Sequence, residues 1–98
     1  MNRLIIFILI LTFWGFSAEA TKIILKPGQS IQAAVDGAVA GDTLIFSPGV
    51  YTASAVTIRK PLSLIGENYP AMDGENKGNI FLIAAENVLV LGLKIIRT

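Results

Sequence analysis

An internal repeat of short apolar runs and turns constrains the fold of this chain more than any other feature. Residues 56–66 align with residues 81–92 when one inserted residue is allowed, and the glycines that end the two segments stand 26 residues apart. A period of roughly 20 to 50 residues that contains only strands and turns is typical of a solenoid, in which each coil stacks on the one before it. We expect Gly66 and Gly92 to supply the unusual backbone angles of the coil corners.

From Asp42 onwards the sequence consists of brief β-type runs separated by turn residues. The runs that we expect to form strands are residues 43–46, 50–51, 56–58, 62–65, 80–83, 88–91 and 93–96. The stretch 67–79 is rich in turn residues, and its Asp73-Gly74 pair indicates a turn between coils, with a hairpin as the alternative. Four asparagines lie at or near the expected turns: Asn68, Asn76, Asn79 and Asn87. Because no helical periodicity separates the runs, a doubly wound α/β fold is disfavoured.

One short amphipathic helix is predicted before the strands. Ser30 is a good N-cap residue, and apolar residues follow at helical spacing, at Ile31, Ala34, Val35 and Ala38. A helix of about ten residues is unstable alone in water, so its apolar stripe must pack on something ordered. We expect it to cover the N-terminal end of the solenoid, with Ile31, Val35 and Ala38 on the first coil. The residues expected to face solvent are Gln32, Asp36 and Gly37.

These patterns together predict an all-β chain whose parts follow in a defined order. The predicted fold class is a single-stranded parallel β-helix, a solenoid, with an N-terminal capping helix and about two coils. We expect a signal peptide over residues 1–20, an N-terminal strand and the capping helix over 21–41, and the first coils, truncated, over 42–98. A last coil without a successor would expose backbone groups and the apolar faces of Val88, Val90, Leu93 and Ile95.

The first twenty residues have the three-part pattern of a secretory signal peptide. Arg3 precedes an apolar run of 13 residues, 4–16, and Ala18 and Ala20 offer the small side chains that signal peptidase requires. We expect cleavage between Ala20 and Thr21, and a periplasmic or secreted location without a stable membrane anchor. A retained anchor is the alternative, but 13 apolar residues fall short of the ~20 needed to span a bilayer.

The composition of the chain after residue 20 excludes several classes of partner and stabilising device. Residues 21–98 contain seven lysines and arginines and six aspartates and glutamates, and neither sign forms a block. This balance argues against nucleic acid or a charged membrane surface as partner. There is no cysteine, so an exported chain of this size has no disulfide and depends on burial and backbone hydrogen bonds.

Asp73 and Glu75, on either side of Gly74, are a weak candidate for a ligand-binding pair. Closely spaced carboxylates on the outer face of a β-helix could bind calcium or sugar hydroxyls. Calcium requires about six oxygen ligands, however, so we favour a solvated turn in which Asp73 bonds to its own backbone. The sequence identifies no catalytic, cofactor-binding or metal-binding residue.

Other polar and aromatic residues allow both a functional and a structural interpretation. Asp42 could act as a base but is more typical of a turn-stabilising residue. Tyr51 could stack on a sugar, and the alternative is a half-buried ring with its hydroxyl in water. Arg59 and Lys60 could meet an acidic polysaccharide such as pectate, but neighbouring residues of a β-type run point to opposite faces, which favours a solvated face.

Several runs resemble the beginning of the NosD-type proteins: residues 30–36, 41–51, 60–66, the Asp73-Gly74 pair and residues 87–93. The resemblance implies a periplasmic right-handed parallel β-helix of the pectin lyase fold, associated with maturation of the copper site of nitrous oxide reductase. It implies a binding scaffold without catalysis, whose partner is a periplasmic protein.

The chain departs from the family pattern in length and in residues suited to copper. Proteins of this kind normally have many more coils. Copper favours imidazole, thiolate and thioether ligands, yet the chain has no histidine or cysteine, and Met72 is its one sulfur after leader removal. No cofactor is therefore assigned to this chain. The same runs are similar to those of pectin esterases and lyases, so the alternative function is the N-terminal fragment of a carbohydrate-active protein that binds a polysaccharide. Whether the protein is an enzyme stays open.

Overall fold

A computed structural model describes residues 20–98, so the predicted signal peptide, apart from Ala20, lies outside the described residues. Within that range one helix and nine short strands follow one another. Their bounds are β1 (Lys22–Leu25), α1 (Ile31–Gly37), β2 (Thr43–Phe46), β3 (Val50–Thr52), β4 (Val56–Ile58), β5 (Ser63–Gly66), β6 (Ala71–Asp73), β7 (Phe81–Ile83), β8 (Leu89–Leu91) and β9 (Lys94–Ile96).

The strands form three parallel sheets that run along the stack of coils. Their orders are β1-β2-β5-β8, β3-β6-β9 and β4-β7. Each strand therefore pairs with its equivalent in the next coil, as a solenoid requires. Two coils are complete, with three strands each, and partial coils lie on either side, which gives about four turns. The predicted all-β parallel β-helix with one short capping helix is confirmed, with about four turns where about two coils were expected.

The pairing register confirms the alignment of the repeat. Val56 of β4 pairs with Phe81 of β7, whereas Ile65 of β5 pairs with Leu91 of β8, one residue further along. The inserted residue therefore lies between β7 and β8, in the second of the two repeated segments. One strand was not predicted, because β6 forms inside the stretch 67–79 that its composition marks as turns. Its pairing with β3 and β9, rather than its own propensity, holds it extended.

The core is built from ladders of inward-facing side chains at alternate positions of the strands. Leu44 of β2 pairs with Leu64 of β5, and both are fully buried. In the second sheet, Tyr51 pairs with Met72, which is also fully buried. The Phe46 and Tyr51 rings meet edge to face, with centroids 5.3 Å apart. Such ladders place like residues of successive coils in contact, so each coil stabilises the next.

The two glycines of the repeat serve different purposes. Gly92 has a φ of +75°, the left-handed conformation that glycine adopts without strain, as predicted for a corner. Gly66 does not. A Cβ at Gly66 would lie 2.5 Å from the Gly92 carbonyl oxygen and 2.6 Å from Cδ of Pro70, so the constraint there is space between coils. The prediction of an unusual backbone angle at Gly66 is therefore wrong.

Asparagines occupy left-handed positions at several of the turns. Asn68, Asn76 and Asn87 have φ values of 56°, 61° and 59°. Asparagine tolerates this conformation better than other residues with a Cβ, because its short amide can bond to nearby backbone. Asn79 does not share it.

Helix α1 lies over the first coil, with Ile31, Val35 and Ala38 buried as predicted. Its first turn is capped by Ser30, whose Oγ accepts a hydrogen bond from the Ala33 N–H at 3.1 Å. At its other end the Lys60 ammonium donates to the Ala38 and Asp36 carbonyls, at 2.6 and 3.2 Å. A cation at the helix C-terminus satisfies carbonyls that have no partner within the helix.

The side chain of Gln32 attaches the helix to the edge of β4. Its Nε2 donates to the Thr57 carbonyl at 3.1 Å, and its Oε1 accepts from the Thr57 N–H at 2.9 Å. These two bonds replace the backbone hydrogen bonds that a neighbouring strand would make with β4. Among the residues that the structure describes, strand β4 is the first of its sheet and has no strand on that side. The prediction that Gln32 faces solvent is therefore wrong, whereas Asp36 and Gly37 are exposed.

We predict that Gly66→Ala destabilises the fold, because its added methyl group must push the backbone of the next coil away. Overpacking of this kind typically costs about 1–3 kcal/mol. Gly37→Ala is the matched control, since a Cβ there meets nothing within 4 Å. Urea unfolding followed by circular dichroism should show a lower midpoint for Gly66→Ala alone. Equal midpoints for the two variants would contradict the close approach of the coils.

Candidate functional site

The predicted ligand pair Asp73 and Glu75 lies where β6 ends. Both Asp73 carboxylate oxygens accept hydrogen bonds from the Arg97 guanidinium, with Nε 2.9 Å from Oδ1 and Nη2 bonded to Oδ2. Oδ1 also accepts from the Glu75 N–H at 2.8 Å. Arg97 follows β9, one coil further on, so this ion pair joins successive coils.

These donors determine the electrostatics of the cluster. The Arg97 guanidinium, followed by the Glu75 N–H, lowers the pKa of Asp73 below its ordinary value. The same contact raises the pKa of Arg97. The Glu75 carboxylate lies 3.4 Å from the Lys77 ammonium and is partly exposed. Asp73 thus bonds to its own backbone, as the structural alternative anticipated, but it is 8% exposed and paired with Arg97 rather than solvated. Binding of a ligand by the pair stays a prediction.

Asp42 is held inside the first turn of the solenoid and is 2% exposed. One carboxylate oxygen accepts from the Thr21 N–H at 2.7 Å and the other from the Val39 N–H at 2.8 Å. These bonds, with Val39 as the larger cause, lower the pKa of Asp42. The carboxylate therefore fastens the start of β1 to the turn before β2, which agrees with a turn-stabilising residue.

Tyr51 is buried and 1% exposed, so the prediction of a half-buried ring with a hydrated hydroxyl is wrong. Its hydroxyl oxygen lies 2.8 Å from the Ser47 carbonyl oxygen and 3.0 Å from the Leu25 carbonyl oxygen, so its one proton is shared between these two acceptors. Burial raises the pKa of this phenol. The hydroxyl joins the end of β1 to the turn after β2, and sequence could not reveal this because the Leu25 acceptor lies in another coil.

The side chains of Arg59 and Lys60 lie in different environments, as the alternation of a β-type run predicts. Arg59 is exposed, and Lys60 is partly buried with its ammonium on the end of α1. Lys60 is therefore a helix-capping residue. The two do not form a joint surface for an acidic polysaccharide.

An outer aliphatic ladder, which sequence reasoning missed, runs along the longest sheet. It consists of the paired residues Ile24, Ile45, Ile65 and Leu91. Ile24 is 63% exposed and Leu91 57% exposed. The signal was present in the sequence, because each residue is the third of its strand and alternates with inward-facing neighbours.

The last coil leaves an open end. In the described part of the chain, β7, β8 and β9 pair on one side only. Val90 and Ile95, whose partners in the previous coil are buried, are 38% and 45% exposed there, as predicted. Val88 and Leu93 instead pack partly against the core. A groove of about 530 Å³ adjoins this end, lined by Gly78, Asn79, Ile80, Phe81, Ile95 and Thr98.

Fold and surface define a parallel β-solenoid as the class of protein. No protein family, curated protein or solved structure matches the chain. No helix among residues 20–98 is long and apolar enough to cross a membrane. Within these same residues no three of the side chains His, Cys, Asp and Glu come together as a group that could hold a metal ion.

We predict that the Asp73–Arg97 pair stabilises the fold above about pH 4 and loses this effect in acid. Because the pKa of Asp73 is lowered on folding, its contribution is present above the ordinary carboxyl pKa and disappears as pH falls through the lowered value. Asp73→Asn should therefore be less stable than the parent chain at about pH 6, and the difference should shrink towards about pH 3. Urea midpoints across this range give the measurement.

Glu86→Gln, which removes an exposed carboxylate, controls for the change in net charge. Its midpoint should follow that of the parent chain at each pH. A constant gap between Asp73→Asn and the parent across the range would mean that packing, and not the ion pair, accounts for the loss.

Proposed function

We propose that this protein is an exported, non-catalytic β-solenoid scaffold that binds a protein partner along the outer aliphatic ladder of its longest sheet. The observation that carries the proposal is the exposure of this ladder: Ile24 is 63% exposed, and Ile45 and Ile65 are partly exposed. A contiguous exposed apolar surface is typical of a site that contacts another protein.

The positions of the polar side chains support a scaffold rather than an active site. Asp42 and Asp73, the carboxylates best placed on rigid elements, both use their oxygens to join parts of the solenoid. A carboxylate that acts as general acid or base must reach the proton it transfers. Their present partners give these two residues a structural role.

The resemblance to NosD-type proteins supplies the biological setting of the proposal. It suggests that the partner is a periplasmic enzyme whose copper site is being assembled. The 98 residues of this sequence offer no imidazole or thiolate for copper, so we assign them a role in holding the partner.

The affinity of the purified chain for nitrous oxide reductase tests the outer aliphatic ladder. We predict that Ile45→Lys, in the middle of the ladder, weakens this binding by about tenfold or more, because a charged side chain would be desolvated in the interface. Leu82→Lys is the control, since Leu82 is an exposed aliphatic residue of β7, outside the ladder. Surface plasmon resonance gives both affinities.

Two results would contradict binding at the outer ladder. Equal loss of affinity in both variants would indicate nonspecific attraction between apolar surfaces. No binding of the reductase, together with binding of polygalacturonate, would favour the carbohydrate-active alternative.

The genes beside the coding sequence test the copper setting. We predict that they encode a nitrous oxide reductase and a copper transporter, because maturation factors act on a product made at the same time. Sequencing the genomic DNA on both sides gives the observation. Neighbouring genes for pectin degradation would contradict the proposal and favour the alternative function.

A further inference from the structure

The backbone nitrogen of Thr21 contacts a buried carboxylate, and cleavage of the predicted signal peptide would make this nitrogen the N-terminus. It lies 2.7 Å from Oδ1 of Asp42, a carboxylate that is 2% exposed. Thr21 is also the residue that follows the predicted cleavage bond, and both Ala20 and Thr21 are exposed. The donor held by a buried carboxylate is thus the atom that would become the new N-terminus.

We propose that Asp42 is the receptor for the mature N-terminus, so that removal of the signal peptide completes the first coil. The inference rests on the proposed export. Hydrolysis of the Ala20–Thr21 bond consumes one water molecule, leaves a carboxylate on Ala20 and frees the Thr21 nitrogen as an α-ammonium. The neutral hydrogen bond to Asp42 then becomes a hydrogen-bonded ion pair, which is stronger and adds two further donors.

The surroundings of Thr21 suit such an anchor. Its carbonyl accepts a hydrogen bond from the Thr43 N–H at 2.9 Å, the first rung between β1 and β2. The second oxygen of Asp42 is fixed by Val39, so the carboxylate does not need to reorient to receive the ammonium. An ion pair at this position would hold β1, the first strand of its sheet, against fraying.

Two other charges bear on the ion pair. The Lys60 ammonium acts on Asp42 from the end of α1, and Lys22 is the exposed neighbour of Thr21. Both are cationic, so they oppose the α-ammonium, whereas Asp42 is the carboxylate within hydrogen-bonding distance of it. The direct contact prevails because it is short, whereas the Lys60 ammonium is bound to the carbonyls at the end of α1 and the exposed Lys22 side chain can extend into water.

The pair has a characteristic dependence on pH. An α-amino group has an ordinary pKa of about 7.7, and an ion pair raises it in the folded state. The stabilisation is therefore complete below about pH 7.7 and is lost as pH rises through the raised value. The hydrogen bond from an amide at the same position has no such dependence.

The test compares two synthetic versions of residues 21–98, one with a free Thr21 amine and one with that amine acetylated. Acetylation restores an amide N–H and changes nothing else in the sequence. We expect the free-amine chain to have the higher urea midpoint at about pH 6.5, with the gap closing towards about pH 10. In Asp42→Asn versions of both chains the gap at about pH 6.5 should be absent.

Each other outcome overturns the inference. Equal midpoints at about pH 6.5, or a gap that persists in the Asp42→Asn chains, would mean that the ammonium does not bind to this carboxylate. Failure of the free-amine chain to unfold cooperatively would mean that processing does not complete the coil. None of these results depends on secretion, so export is tested separately by fractionating cells that express the full chain and sequencing the N-terminus of the product.

Discussion

The fold depends on backbone hydrogen bonds between equivalent strands of successive coils. Each coil obtains its partners from the coil before it, so the first coil needs partners of another kind. At Thr57 this partner is the Gln32 side-chain amide, which donates to the Thr57 carbonyl and accepts from the Thr57 N–H as a neighbouring backbone would. A buried strand edge without such bonds would leave a donor and an acceptor unsatisfied, at a cost of about 1–3 kcal/mol each. The helix is thus part of the sheet's hydrogen bonding as well as its apolar cover.

Polar side chains link successive coils in the way that disulfides link the chain in many small exported domains. Asp42 joins the start of β1 to the next coil, and the Tyr51 hydroxyl joins the end of β1 to the turn after β2. Asp73 and Arg97 make a similar connection later in the stack. None of the buried side-chain nitrogen or oxygen atoms among residues 20–98 lacks a hydrogen-bond partner. Because the residues in these ties come from different coils, each one opposes the separation of neighbouring turns.

The sequence predicted the repeating parts of the fold and missed those that depend on contacts between coils. The repeat fixed the solenoid, and the spacing of Ile31, Val35 and Ala38 identified the helix and its buried face. Strand β6 was missed because its composition favours turns and its conformation comes from its neighbours. The environments of Gln32 and Tyr51 were predicted wrongly for the same reason. Their partners lie 25 and 26 residues away, and nothing in the local sequence indicates them.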